Sequence, residues 1–136
     1  MKCIPIIVSI VFVAGCEGST AFTAQNGVRV NPVNADVFEV FARPSGRKSD
    51  FWCGAGSYAS RVLGASDGAP VYAVGGAGRG VSLDSPDAAQ FSLKPPGQVS
   101  GATGRPASRG WGPEVGQSVS VGRARNSCQP LLSNDD

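Results

Sequence analysis

Apolar positions along the chain recur with two spacings. Over Ser49–Gly64, reading SDFWCGAGSYASRVLG, they follow a helical period. At 100° per residue Phe51, Trp52, Ala55, Tyr58, Ala59, Val62 and Leu63 fall within an arc of roughly 140°. That pattern predicts a helix over about 50–63, with an apolar face wide enough to cap a small sheet. Asp50 or Ser49 can accept from a first-turn N–H, and Gly64 supplies the left-handed residue that commonly ends a helix. Gly54 and Gly56 each cost about 1 kcal/mol relative to alanine inside a helix. They mark either loose local composition or close backbone approach by another element. Cys53 lies off the apolar arc, near Ser57 and Ser60, so any partner of its sulfur must strap across that outer side.

Elsewhere the period is two. Asp36–Arg43, DVFEVFAR, places Phe38, Val40 and Ala42 on one face and Val37, Glu39, Phe41 and Arg43 on the other. Apolar residues on both faces predict a central strand. Before it, the turn signal Asn26-Gly27 leads into Val28-Arg29-Val30, a strand bent or broken at Asn31-Pro32. Pro44–Lys48 reads as an exposed connection into the helix. After the helix, Ser66-Asp67-Gly68 is a polar turn and Val71–Val74 a strand leaving through GGAGRG, Gly75–Gly80, read as a flexible hairpin or strand exit. Ala88–Lys94, AAQFSLK, is a further strand, stopped by Pro95-Pro96. Residues 97–117 are rich in Gly, Pro and Ser and read as a long flexible loop, a length that marks functional or disordered segments. Val119-Ser120-Val121 forms a last short strand that runs through Arg123 and Arg125 to Cys128. The series predicts an α+β domain: a small, mostly antiparallel sheet of four to five strands packed on one helix, with a long Gly/Pro-rich loop.

Length and composition bound the rest. The 136 residues suffice for one domain, and 19 Gly, 10 Pro and 7% aromatics leave only a small core. A net charge of +2 and no basic run beyond Arg47-Lys48 argue against nucleic acid, whose binding needs many phosphate contacts. Lys2 followed by an apolar run over Ile4–Val13 has the form of a targeting segment. Ten residues rise about 15 Å as a helix, half of a hydrocarbon core. Val13-Ala14-Gly15-Cys16 resembles the lipobox of bacterial lipoproteins, in which the cysteine is lipidated and becomes the mature N-terminus. The resemblance implies a signal peptide over 1–15 and a lipid on Cys16; the residues that follow read as a tether over 16–26, a single disulfide-stapled domain over 27–128 and a loose tail over 129–136. Glu17, not the aspartate associated with inner-membrane retention, favours the outer membrane. Ordinary secretion, with cleavage after Gly15 or near Ala24, is the alternative.

With Cys3 removed and Cys16 lipidated or removed, Cys53 and Cys128 remain as an even pair in an oxidising compartment. A disulfide between them would close a long loop and contribute on the order of 4 kcal/mol. The other use of the pair, a reactive thiol or metal site, lacks supporting histidines and CxxC spacing. The succession VRV…FEV, WCGAGSYA, a VY-containing strand, QFSL and RARNSC resembles small exported alphaproteobacterial proteins of unknown function. It covers roughly Val28–Cys128 and likewise implies a disulfide, with the Gly/Pro-rich segment an addition to the pattern.

The chain has no histidine, which removes Ser-His-Asp and Cys-His catalysis and most zinc sites. Gly54-Ala55-Gly56-Ser57-Tyr58-Ala59 matches G-x-G-x-x-A, but inside a helix and not in the turn leaving a strand. Asp84 and Asp87 are the nearest carboxylate pair and read as a solvated turn. No catalytic, cofactor-binding or metal-ligating residue is nominated. Arg105, Arg109 and Trp111 are the possible contacts with a ligand or partner, because arginine forks grip phosphate and indole stacks on rings. The expected role is a non-enzymatic cell-envelope lipoprotein, without cofactor, held at the membrane by its lipid anchor and contacting an envelope protein or polymer. The alternative is a soluble periplasmic domain binding an anionic ligand.

Overall fold

The strand with apolar residues on both faces sits in the middle of the sheet. In the computed structural model, which describes residues 22–43, 47–107 and 111–128, that strand is β3 (Val37–Phe41), with all five residues buried. The other elements are β1 (Phe22–Thr23), β2 (Arg29–Pro32), α1 (Lys48–Arg61), β4 (Pro70–Gly78), β5 (Ala88–Ser92), β6 (Ser118–Ser120) and α2 (Val121–Asn126). They form one antiparallel six-stranded sheet, ordered β1-β2-β3-β5-β4-β6, under two helices. The class is α+β as expected, with six strands in place of four to five.

Helix α1 lies on the face carrying Val30, Phe38, Val40, Ala73, Ala89 and Phe91, which share one buried cluster with Phe51, Trp52, Ala55, Tyr58 and Ala59. Ring contacts fix the seating: Phe38 lies 4.6 Å from Tyr58, Trp52 5.0 Å from Phe91, and Phe22 5.7 Å from Tyr58 between centroids. Burial pushes the Tyr58 phenol above its usual range. The helix ends two residues earlier than its apolar period suggests. Val62 and Leu63 are 50% and 41% exposed, not part of the core. Gly64 takes the expected left-handed conformation, φ +71°. At the other end Asp50 caps from inside: its Oδ2 accepts from the backbone N–H of Arg47, which precedes the first helical residue, at 3.0 Å.

Both helix glycines mark close approach. A Cβ on Gly54 would lie 2.6 Å from Val40 Cγ1 and 2.8 Å from Val28 Cγ2, on the sheet side. A Cβ on Gly56 would lie 2.7 Å from both Ala124 Cβ and the backbone nitrogen of Arg125, in α2. The segment expected to pass through Arg123 and Arg125 as an extension of the last strand is therefore a helix. Ser120 caps it, its Oγ accepting from Arg123 N–H at 3.2 Å. Cys53 and Cys128 are joined, with Cα atoms 4.8 Å apart. The bridge ties the second turn of α1 to Cys128, two residues past the end of α2. Reversal of the chain into a strap across α1 is what the position of Cys53 required.

Three further segments differ from expectation. Phe22 and Thr23 pair with Val30 and Arg29, so the part of the tether over 22–26 belongs to the domain. The glycine run is not a flexible exit: Gly75, Gly76 and Gly78 lie within β4, with irregular register against β5. A Cβ on Gly76 would stand 2.5 Å from the Ala107 nitrogen, so the strand is bare because another chain segment crosses it. That segment is the long loop, which is pinned rather than free. Asn34 Nδ2 donates to the Ser100 carbonyl (3.0 Å), Gly104 N–H to the Val74 carbonyl (3.0 Å), and Gly76 N–H to the Arg105 carbonyl (2.7 Å). The leader over 1–15, Cys16, Arg109 and the tail over 129–136 lie outside the described residues.

Gly56→Ala should destabilise the domain by about 1–3 kcal/mol in urea unfolding. Overpacking against a backbone that the disulfide holds outweighs the ~1 kcal/mol gain in helix propensity. Gly68→Ala, with open space around it, should stay within about 0.5 kcal/mol. Cys53→Ala/Cys128→Ala should lower stability by on the order of 4 kcal/mol in the same assay, through release of the 75-residue loop.

Candidate functional site

The sheet face turned away from α1 holds the polar interior. Glu39 of β3 stands opposite Gln90 of β5, and both side chains are fully buried. Alternation on a central strand forces a carboxylate inward here, so it must find donors. Glu39 Oε1 accepts from the backbone N–H of Val81 (3.0 Å), that of Ser82 (2.8 Å) and Ser82 Oγ (2.7 Å). Oε2 accepts from Val81 N–H (2.8 Å) and Gln90 Nε2 (2.8 Å). Successive N–H groups of a turn converging on an anion form a nest. In this molecule the nest grips the protein's own carboxylate. Gln90 passes the connection on, its Oε1 accepting from Thr103 N–H at 2.7 Å. One buried acid thus holds the 79–85 turn directly and the long loop through one intermediary. Fully buried and held by donors at both oxygens, Glu39 positions the loops around it.

Of the residues singled out for ligand contact, Arg105 and Trp111 have protein partners. Arg105 Nε donates to the Gly76 carbonyl at 3.2 Å and Nη2 to the Arg79 carbonyl at 3.0 Å, so its fork clasps the end of β4. Trp111 is folded back on the core, edge-on to Phe51 with centroids 5.2 Å apart. Asp84 is solvated, 85% exposed, and pairs with Arg79; Asp87 is exposed. The G-x-G-x-x-A residues are consumed by helix packing. Among the described residues no group of three or more Cys, Asp or Glu is placed to hold a metal ion, and no helix is long and apolar enough to cross a membrane.

The fold also assembles two surface features. At one end of the sheet, β2 and β3 bring Arg29 opposite Phe41, two residues before Arg43. Arg47 and Lys48 start α1 beside them, where Asn26 reaches Asp50 and the turn at Gly27 meets Arg43. All four cations are exposed, and none makes an ion pair among the described residues. The Arg47-Lys48 run is visible in the sequence; its enlargement by Arg29 and Arg43 depends on strand register. At the other end, Val62 and Leu63 follow α1, with Arg61 exposed before them.

Glu39→Gln replaces an acceptor oxygen with an NH₂ group that faces other donors. It should cost about 2 kcal/mol or more and speed hydrogen exchange at the Val81 and Ser82 amides while leaving those of α1 nearly unchanged. The chain matches no protein-family model, no curated protein and no solved structure.

Proposed function

We propose that the protein is a non-enzymatic envelope lipoprotein, a small stapled module carried on a lipidated Cys16 and presented to a protein or polymer partner. The observation that supports it most is the Cys53–Cys128 bridge, which locks α2 across α1 and suits an oxidising compartment. The lipobox-like Val13-Ala14-Gly15-Cys16 precedes the first strand by only a few residues. The polar interior holds loops in place, and the described surface includes the exposed cations Arg29, Arg43, Arg47 and Lys48 and the exposed apolar side chains of Val62, Leu63, Val81 and Leu83, which suit contact with a partner.

A soluble periplasmic domain for an anionic ligand is the second reading. It is favoured by the four exposed cations Arg29, Arg43, Arg47 and Lys48 at one end, since arginine forks and lysine recognise phosphate and carboxylate.

Metabolic labelling with a radioactive fatty acid separates the two. The first reading expects label on the wild-type protein that disappears in Cys16→Ser. An unlabelled wild-type product free in the periplasm, retained on an anionic matrix through those four residues, would establish the second.

A further inference from the structure

The two ends of the domain differ, and the chain enters at only one of them. Strand β1 is antiparallel to β2, with Phe22 opposite Val30 and Thr23 opposite Arg29. It therefore runs toward the basic end, and the chain comes into the sheet from the end marked by Pro32 and Phe38. The same end receives the close of α1. Phe22 packs on Tyr58, Tyr58 on Phe38, and the Tyr58 carbonyl accepts the N–H groups of Val62 (2.9 Å) and Leu63 (3.1 Å). The half-exposed Val62 and Leu63 thus lie one helical turn from the residue that touches the chain entry.

Among the described residues, large exposed apolar side chains occur at one other place, Val81 (59%) and Leu83 (38%) on the 79–85 turn. That turn lies at the opposite end, where Gly80 meets Phe41 and Gly78 pairs with Ala88. Distance along the chain decides between the two patches. From Cys16 to Phe22 is six residues, at most about 20 Å when fully extended. A lipid on Cys16 therefore keeps the chain-entry end beside the bilayer and turns the 79–85 end away.

We propose that Arg61, Val62 and Leu63 form a docking surface for the phospholipid bilayer, seating the domain with the end of α1 on the headgroups. Val62 and Leu63 enter the interfacial region, where burial of apolar side chains is favourable, and Arg61 meets lipid phosphate. The basic end and the 79–85 turn then face the envelope space. This orientation rests on the lipoprotein reading above.

The test uses the full-length, membrane-purified protein in vesicles of phosphatidylethanolamine and phosphatidylglycerol, with ordinary or brominated acyl chains. Leu63→Trp and Leu83→Trp are compared, with wild-type Trp52 and Trp111 emission as background. Docking expects the indole of Leu63→Trp to emit at shorter wavelength and be quenched by brominated lipid, with neither change in Leu83→Trp. Adding Val62→Asp should abolish the shift while the protein still floats with the vesicles. A blue-shifted but unquenched Leu63→Trp would mean that a second copy or the chain's own residues cover the patch, and would overturn the proposal. So would equal responses at the two positions, or quenching of Leu83→Trp alone. Intact mass separates the two levels: a diacylglyceryl adduct with an unresponsive Leu63→Trp removes the docking and leaves the anchor, whereas a mass without the adduct removes both.

Discussion

Helix α1 is pressed from two sides, and the distance of approach on each is set by a missing methyl group. Gly54 admits Val28 and Val40 of the sheet; Gly56 admits the backbone of α2. Any larger residue at either position pushes the layers apart. A helix with two internal glycines is poor in isolation, by about 2 kcal/mol on the usual scale. The deficit is offset by contact on both sides and by the Cys53–Cys128 bridge, which holds α2 where Gly56 needs it. Core, strap and disulfide form one device, and the residue between the two glycines, Ala55, is buried within it.

The opposite face of the sheet solves another problem. Strands β4 and β5 offer little apolar bulk there, and among the described residues neither α1 nor α2 covers it. The chain uses loops, and loops carry backbone N–H groups that need acceptors once buried. Glu39 supplies them for the 79–85 turn, Gln90 for Thr103, and Arg105 reverses the polarity by donating to β4 carbonyls. A domain with so few large side chains is thus closed on one side by packing and on the other by hydrogen bonds. This explains why residues that resemble a binding set in the sequence are internal fasteners in the structure.

How much of this was readable beforehand follows from the range of the forces involved. The strands around Phe38 and Phe91 and the helix around Trp52 announce themselves because burial imposes a period on neighbouring residues. The pairing of Cys53 with Cys128 was reachable by counting sulfurs. Helix α2 was not, because six residues with a glycine have little intrinsic helicity; Ser120 and the contact with Gly56 create it. The glycines of β4 looked like flexibility because the reason for them, the crossing of 104–107, lies some thirty positions away. Glu39 looked like an ordinary polar position in an alternating strand. Only the partner loops, 42 and 43 residues on, reveal a buried carboxylate.

The same distinction bears on function. Among the described residues, the acid in the interior is saturated, Arg105 is clasped and Trp111 is packed. What folding did produce, among the described residues, is a group of four exposed cations outside any ion pair at the end of the sheet away from the chain entry, with exposed apolar side chains at both ends. On the lipoprotein proposal, an anchor entering at one end would convert that asymmetry into an orientation, with Arg29, Arg43, Arg47 and Lys48 facing the envelope space.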